Sequence, residues 1–159
     1  MIYKASFDLP SKIITIAICV GIPAILLTKE VYSSFNFTTS AIVVILSLLL
    51  LPACYLFSIK DYVVNDSALI IRRPMSSRII PLTEIEEARL VADGEMRGTI
   101  RTFGNGGLFG YYGKFYNRKL GYMTWYATQR RNMVYIKTRS GKKIIISPDD
   151  TSIINKLIA

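Results

Sequence analysis

Two long apolar runs near the start of the chain constrain its fold more than any other feature. Residues 13–27 contain no charged side chain, and with the flanking Ser11, Lys12 and Thr28 they form a stretch over 11–28. Residues 41–59 continue without a single charge. A helix that crosses a bilayer needs about 20 mostly apolar residues, within a range of about 17 to 25. The two runs therefore predict two transmembrane helices, over 11–28 and 41–59, joined as a hairpin.

Two other interpretations of these runs are open. The first run has the length of a signal peptide, but it lacks a small-x-small cleavage site and a second apolar run follows it directly. Either run also has the composition of a buried core helix. A chain of 159 residues, however, has little left with which to cover two helices that are apolar on all sides. The membrane hairpin is the stronger interpretation.

The distribution of basic residues predicts how this hairpin is oriented. Two of the 20 Lys and Arg residues precede the first run, only Lys29 lies between the runs, and 17 follow the second. Cytoplasmic segments close to a membrane span carry the excess of Lys and Arg. We therefore predict a multi-pass protein of the plasma membrane, with both termini in the cytoplasm and residues 29–40 outside.

The composition excludes several kinds of functional site. The chain has no histidine, which removes His-dependent catalysis and His-ligated metals. Its two cysteines cannot form a disulfide scaffold or a four-cysteine zinc site. We therefore predict no catalytic site, no metal and no cofactor. The formal charge of +9 favours acidic partners such as anionic lipid, nucleic acid or an acidic protein face.

Residues 61–159 have the patterns of short strands. Apolar residues alternate on both sides of the Asn-Asp pair at 65–66, which predicts a turn. The Arg-Ser-Gly sequence at 139–141 separates two further alternating segments, 133–138 and 142–146, and predicts a hairpin. Pro-Asp-Asp at 148–150 precedes a final helix over 151–158, whose apolar stripe is wide enough to cover one face of a sheet. These patterns predict a mainly-β domain that ends in a helix.

A glycine-rich aromatic segment is more specific than the strand pattern. The sequence RTFGNGGLFGYYG at 101–113, together with Leu120-Gly121, Tyr126-Ala127-Thr128 and ISPDD at 146–150, resembles bacterial pleckstrin-homology-like (PH-like) proteins with an N-terminal membrane hairpin. The resemblance covers roughly 62–158. It implies a PH-like barrel or sandwich of about seven strands, closed by the C-terminal helix. The predicted domains are therefore a transmembrane hairpin over 1–60 and a cytoplasmic PH-like domain over 61–159.

An acid-free stretch supplies the candidate binding residues. Residues 96–148 contain no Asp or Glu but eleven Lys or Arg, and residues 109–126 contain eight aromatic side chains. Basic and aromatic side chains suit the headgroup layer of an anionic membrane. We predict that residues 104–131 form a loop that contacts lipid or a protein; the alternative is that the aromatics form barrel core and the basic residues a solvated face. The candidate lipid- or partner-binding residues are Lys114, Arg118, Lys119, Arg130, Arg131, Tyr111, Tyr112 and Trp125.

These features predict a non-catalytic binding or scaffold module. The resemblance implies membrane-anchored binding or assembly modules, and a protein partner or self-association is open. One alternative is an accessory subunit of a membrane enzyme or transport complex. Another is an enzyme that uses carboxylates of the cytoplasmic domain. Its candidates lie at 84–87, 93–95 and 149–150, where no partner acid or base is evident. Nucleic-acid binding is less favoured because the predicted anchor holds the domain at the membrane.

Overall fold

The computed structural model describes residues 1–26 and 37–158. The predicted external loop at 29–40 falls mostly outside these ranges. Strand β1 (Ile2–Lys4) precedes helices α1 (Leu9–Leu26) and α2 (Phe37–Leu56). The β-rich part then follows in this order: β2 (Asp61–Val64), β3 (Ala68–Arg72), β4 (Arg78–Pro81), a 3-10 turn (Leu82–Glu84), β5 (Ile85–Leu90), β6 (Ile100–Gly107), β7 (Gly110–Asn117), β8 (Gly121–Ala127), β9 (Val134–Thr138), β10 (Lys143–Ile146) and helix α3 (Ile153–Ile158).

The strands form two sheets. The first has the order β1-β2-β3-β4 and is antiparallel throughout. The second has the order β5-β9-β10-β8-β7-β6, in which β8 and β10 are parallel and the other neighbours antiparallel. The β9–β10 hairpin is therefore inserted between β5 and β8. Strands β4 and β6 each lie at the edge of their sheet.

Two apolar clusters form on opposite faces of the six-stranded sheet. The larger cluster lies between the sheets and is closed by α3, whose Ile153 and Leu157 are buried with Tyr62, Ile136 and Ile146. Each such side chain contributes roughly 1.5 to 3 kcal/mol by its removal from water. The smaller cluster, which we call the outer-face cluster, packs under the β5–β6 connection and consists of Tyr111, Phe115, Met123, Trp125, Ala127, Met133, Tyr135 and Ile145.

A buried tyrosine hydroxyl joins the two sheets. Tyr62 of β2 donates a hydrogen bond to the Tyr126 carbonyl at 2.7 Å and accepts one from the Ser147 amide at 3.1 Å. Burial raises the pKa of Tyr62 well above its usual range, so the hydroxyl keeps its proton. Its two bonds hold the first sheet against the end of β8 and the residue after β10.

The prediction of two transmembrane helices is wrong. Within residues 1–26 and 37–158, no helix is long and apolar enough to cross a membrane. The first two turns of helix α1 pack against the β-rich part, where Ser11 is buried and Thr15 accepts a backbone hydrogen bond. The last turn of α2 does the same through Tyr55 and the Cys54 carbonyl. A hydropathy pattern includes these residues in the predicted membrane spans, although they contact the β-rich part of the protein.

The structure has the predicted mainly-β domain but differs from the prediction in its strands. Residues 104–131, predicted as a loop, lie mostly within β6, β7 and β8. Residues 61–158 contain nine strands, β2 to β10, against the seven or so predicted for this domain, because the long strands within 104–131 were not anticipated. Strand β1 is hydrogen-bonded to β2, so Tyr3 is buried in the main core. The division into a segment over 1–60 and a domain over 61–159 stays a prediction.

Candidate anion-binding site

A basic groove opens between the edge strands of the two sheets. Its cavity has a volume of about 370 Å³. Arg78 comes from β4, and Phe103 comes from β6. The floor is the inner face of the six-stranded sheet, which contributes Tyr112, Lys114, Thr124, Tyr126 and Ile144. With Arg78 and Lys114, the residues Arg73 and Lys142 bring the number of cations to four. We call this cavity the basic groove; its lining is Arg73, Arg78, Phe103, Tyr112, Gly113, Lys114, Thr124, Tyr126, Lys142 and Ile144.

Among the residues that the structure describes, no carboxylate forms an ion pair with a cation of the basic groove. Carboxylates pair instead with Arg72, Arg89 and Lys137, and these are the ion pairs of residues 1–26 and 37–158. The groove lining itself contains no Asp or Glu. Four like charges around one cavity, with no carboxylate in its lining, give a positive potential that favours anions.

Two of these cations are held in position by neutral groups. The Arg73 guanidinium donates to the carbonyl and the hydroxyl of Ser76, each at 3.0 Å. It also lies near the rings of Phe57 and Tyr126, with 5.8 and 5.7 Å to their centroids. Lys114 donates one hydrogen bond to Thr124 Oγ1 at 3.0 Å, and an ammonium has two further donors for a ligand.

Tyr112 connects the basic groove to helix α2. Its hydroxyl donates to the Cys54 carbonyl at 2.7 Å and accepts from Asn105 Nδ2 at 3.0 Å. Burial raises the pKa of Tyr112 to about 12, so this donor stays protonated at neutral pH. The position of the Tyr112 ring in the groove is therefore fixed by the end of α2.

The tip of the β6–β7 hairpin is held by polar side chains of α1. The buried Ser11 hydroxyl donates to the Gly107 carbonyl at 2.8 Å and accepts from the Gly110 amide at 3.0 Å. Thr15 Oγ1 accepts from the Phe109 amide at 2.9 Å. The Phe109 ring meets the Tyr55 ring of α2 edge-on, with 5.6 Å between centroids. The glycine-rich segment thus forms a junction between the helices and the sheet.

Apart from the side chains of this junction, both helices expose large apolar side chains. Leu9, Ile13, Ile16 and Val20 of α1 are each more than half exposed, as are Ile42, Ile45, Leu46, Leu49 and Leu50 of α2. Contiguous exposed apolar surface of this kind is typical of a site that contacts lipid or another protein. The Phe57 ring, just after α2, is near Arg73, so the apolar helices and the basic groove are neighbours.

The eight residues predicted as a site are divided among four places. Lys114 and Tyr112 line the basic groove. Arg130 and Arg131 line a separate pocket beside the β5–β6 connection. Arg118 and Lys119 are exposed in the β7–β8 turn. Tyr111 and Trp125 are only 2% exposed and belong to the outer-face cluster, where Trp125 stacks on Phe115 with 4.2 Å between ring centroids.

The predicted set lacks three cations of the basic groove, namely Arg73, Arg78 and Lys142. Lys142 lies in the acid-free stretch and Arg73 in a visible Arg-Arg pair, but neither stands out by local pattern. Arg73 and Lys142 are 69 positions apart in the chain, and only the strand order brings them to one cavity. Knowledge of which strands pair would have identified these three cations. The alternation of side chains within one strand does not contain that information.

Several of the carboxylates considered for catalysis are in structural contacts. Glu95 accepts two hydrogen bonds from Arg89, at 2.8 and 2.6 Å, and these lower the pKa of Glu95. Glu86 pairs with Lys137 at 2.8 Å. Asp150 accepts from the amide and hydroxyl of Ser152, which lowers the pKa of Asp150. No group of three or more possible metal ligands occurs in the described parts of the chain.

Comparison with known proteins gives one match. A family model described as "Bacterial PH domain" matches residues 60–158, which is more than half of the chain. No curated protein and no solved structure matches the chain. The matched region begins just before β2 and ends at the last residue of α3, so it contains the basic groove in full.

Proposed function

The chain belongs to the bacterial PH domain family, and from this premise we propose that it is a non-catalytic binding module for anionic lipid headgroups at the cytoplasmic face of a membrane. PH-like domains are generally binding modules without catalytic activity. The observation that carries the proposal is the basic groove, with four cations and no carboxylate in its lining.

The charge of the groove is large enough to select between lipids. A Lys or Arg near an anionic membrane surface contributes about 1 kcal/mol of attraction. Four such groups together contribute about 4 kcal/mol, which corresponds to roughly a thousandfold preference for an anionic over a neutral surface. Because the cations are at least partly exposed, salt should weaken this preference.

The exposed apolar faces of α1 and α2 supply the second contact with the membrane in this proposal. Apolar side chains of a surface-bound helix enter the boundary between headgroups and acyl chains. Arg73 lies near Phe57 at the end of α2, so the groove and the apolar faces reach the same surface. The helices would thus provide attachment with little dependence on lipid charge, and the groove would provide selectivity.

The test compares two double variants of the full chain, purified in a nonionic detergent and mixed with vesicles. Arg78→Gln with Lys142→Gln removes two groove cations that lack an ion pair among the described residues. Arg118→Gln with Lys119→Gln removes the same charge from the exposed β7–β8 turn. Binding is measured by flotation with phosphatidylcholine vesicles and with vesicles that also contain phosphatidylglycerol, across a salt series.

We expect the groove variant to lose about thirtyfold in its preference for anionic vesicles, since two cations contribute about 2 kcal/mol. The turn variant should change this preference by less than threefold, and binding to neutral vesicles should be the same in all three proteins. An equal loss in both variants would mean that only total charge matters, and would overturn the assignment to the groove. Absence of any lipid preference at low salt would leave a protein partner or a second copy as the occupant.

A further inference from the structure

A second group of unpaired cations lies on the other face of the six-stranded sheet. Arg97 from the β5–β6 connection faces Arg130 and Arg131 from the β8–β9 connection across a cavity of about 420 Å³. We call this cavity the arginine pocket. Within residues 1–26 and 37–158, none of these three guanidinium groups has a carboxylate within ion-pair distance. Asp93 also lines the cavity, so the lining carries three positive charges and one negative charge.

Hydrogen bonds from the sheet hold the loop that contains Arg97. Arg89 holds Glu95 through two hydrogen bonds of 2.8 and 2.6 Å, and Glu95 also accepts from the Ala92 amide at 3.1 Å. The buried Asn117 side chain donates to the Glu95 carbonyl at 3.2 Å and to the Thr99 hydroxyl at 2.8 Å. The backbone on both sides of Arg97 is therefore fixed before any ligand arrives.

The loop that presents the other two arginines is braced in the same way. The Arg130 amide donates to Asp8 Oδ2 at 3.1 Å, and Asn132 Nδ2 donates to the Asp149 carbonyl at 3.1 Å. The Arg130 guanidinium lies over the Tyr111 ring, 4.9 Å from the ring centroid, in a cation–π contact. A site that is already ordered loses less entropy when it binds, so more of the interaction energy appears as affinity.

The chemistry of these groups selects one class of ligand. A guanidinium offers a planar set of donors that matches two oxygens of a phosphate, and it stays charged at every physiological pH. Three such groups on two fixed loops suit a tetrahedral oxyanion that carries more than one negative charge. From this arrangement we propose that the arginine pocket is a second anion site, specific for a phosphate group.

The arginine pocket is separate from the basic groove. Alternate residues of β7 point to opposite faces of the sheet, so that Tyr112 lines the basic groove while Tyr111 supports Arg130. The sheet therefore lies between the two cavities, and a ligand in one leaves the other open. The phosphate has two sources, a lipid headgroup and a free or solute-borne phosphate, and the test separates them.

The test uses the full chain in a nonionic detergent and inorganic phosphate as the probe. Side-chain Nε–H signals of the arginines are followed by NMR as phosphate is added. We expect the signals of Arg97 and Arg131 to shift with one common affinity. Arg97→Gln with Arg131→Gln should weaken phosphate binding at least tenfold, whereas Arg118→Gln with Arg139→Gln, which removes the same charge elsewhere, should change it less than twofold.

The source of the phosphate is decided by the same variants with vesicles that contain phosphatidic acid. A loss of vesicle binding in the Arg97/Arg131 variant assigns the pocket to a lipid headgroup, and unchanged vesicle binding assigns it to a free phosphate or a phosphorylated solute. Equal weakening of phosphate binding in both double variants, or the absence of any shift at Arg97 and Arg131, would overturn the proposal. Arg78→Gln with Lys142→Gln should leave the phosphate shifts unchanged, so failure of the basic groove is distinguishable from failure of this pocket.

Discussion

A pair of glycines that face each other in the antiparallel strands β6 and β7 offers the sharpest test of the fold around the basic groove. Gly104 and Gly113 are directly opposite each other in the ladder. Gly113 has φ +127°, a backbone conformation that residues with a side chain rarely adopt. A Cβ atom on Gly113 would lie 2.8 Å from the Gly104 Cα and would overlap the Phe103 carbonyl oxygen. The two strands can therefore approach this closely only because both positions lack a side chain.

We expect Gly113→Ala to destabilise the protein by about 3 to 5 kcal/mol. The unusual φ alone costs about 1 to 3 kcal/mol. The overlap involves backbone atoms, which cannot move aside as a flexible side chain would, so β6 and β7 must separate and lose hydrogen bonds worth about 1 kcal/mol each. Gly141→Ala is the matched control. Its φ is +78°, but among the described residues no heavy atom beyond Gly141 and its two chain neighbours lies within 4 Å of the new Cβ, so its cost should be only about 1 to 2 kcal/mol.

The measurement is urea unfolding followed by tryptophan fluorescence. Trp125 is the only tryptophan of the chain, and it is buried against Phe115 of β7, so its emission reports directly on the affected strand. Gly113→Ala should lower the free energy of unfolding by about 1 to 4 kcal/mol more than Gly141→Ala does, which is the difference between the two expected costs. If the two variants lose the same free energy, the close approach of the strands is not a constraint and the reasoning is refuted.

Three further substitutions test other contacts. Tyr62→Phe removes a buried hydroxyl with two backbone partners and should cost about 1 to 3 kcal/mol in urea unfolding, while a change below 0.5 kcal/mol would contradict that role. The hydrogen bonds from Arg89 lower the pKa of Glu95 below its usual value near 4.5. The stability that ionised Glu95 gives the folded protein is therefore complete above that value and is lost as the pH falls through the folded-state pKa. Glu95→Gln should therefore reduce the loss of stability between pH 7 and pH 3, and an unchanged pH dependence would count against the pair. Ser11→Ala should speed hydrogen exchange of the Gly110 amide roughly tenfold or more, and unaltered exchange would show that the junction does not depend on this hydroxyl.

Local chemistry was sufficient to predict those parts of the fold that local contacts determine. The turn at 65–66 forms because Asn65 Oδ1 accepts from the Ala68 amide at 2.7 Å, a bond between residues three positions apart. The hairpin of β9 and β10 forms around Gly141, which supplies the positive φ that its turn requires. In both places the residues that specify the structure are adjacent in sequence, so a single sequence contains the information.

The basic groove depends on contacts that no local pattern encodes. Its walls come from both sheets. Lys142, just before β10, reaches the groove because β10 pairs in parallel with β8 as well as with β9, its neighbour in sequence. The aromatic residues of 109–126 illustrate the same limit. Alternation shows that Tyr111 and Tyr112 lie on opposite faces of a strand, but not which face is covered, and the structure places Tyr111 in the outer-face cluster.

The glycine-rich segment at 101–113 lines part of the basic groove and also connects the groove to the two helices. Asn105 of β6 donates to the Tyr112 hydroxyl, and that hydroxyl donates to the last turn of α2. The same strand pair ends at the tip that Ser11 and Thr15 hold against α1. A rotation of either helix would have to break these bonds or carry the Tyr112 wall of the groove with it. If the helices attach to a membrane as proposed, their orientation sets the direction in which the groove faces.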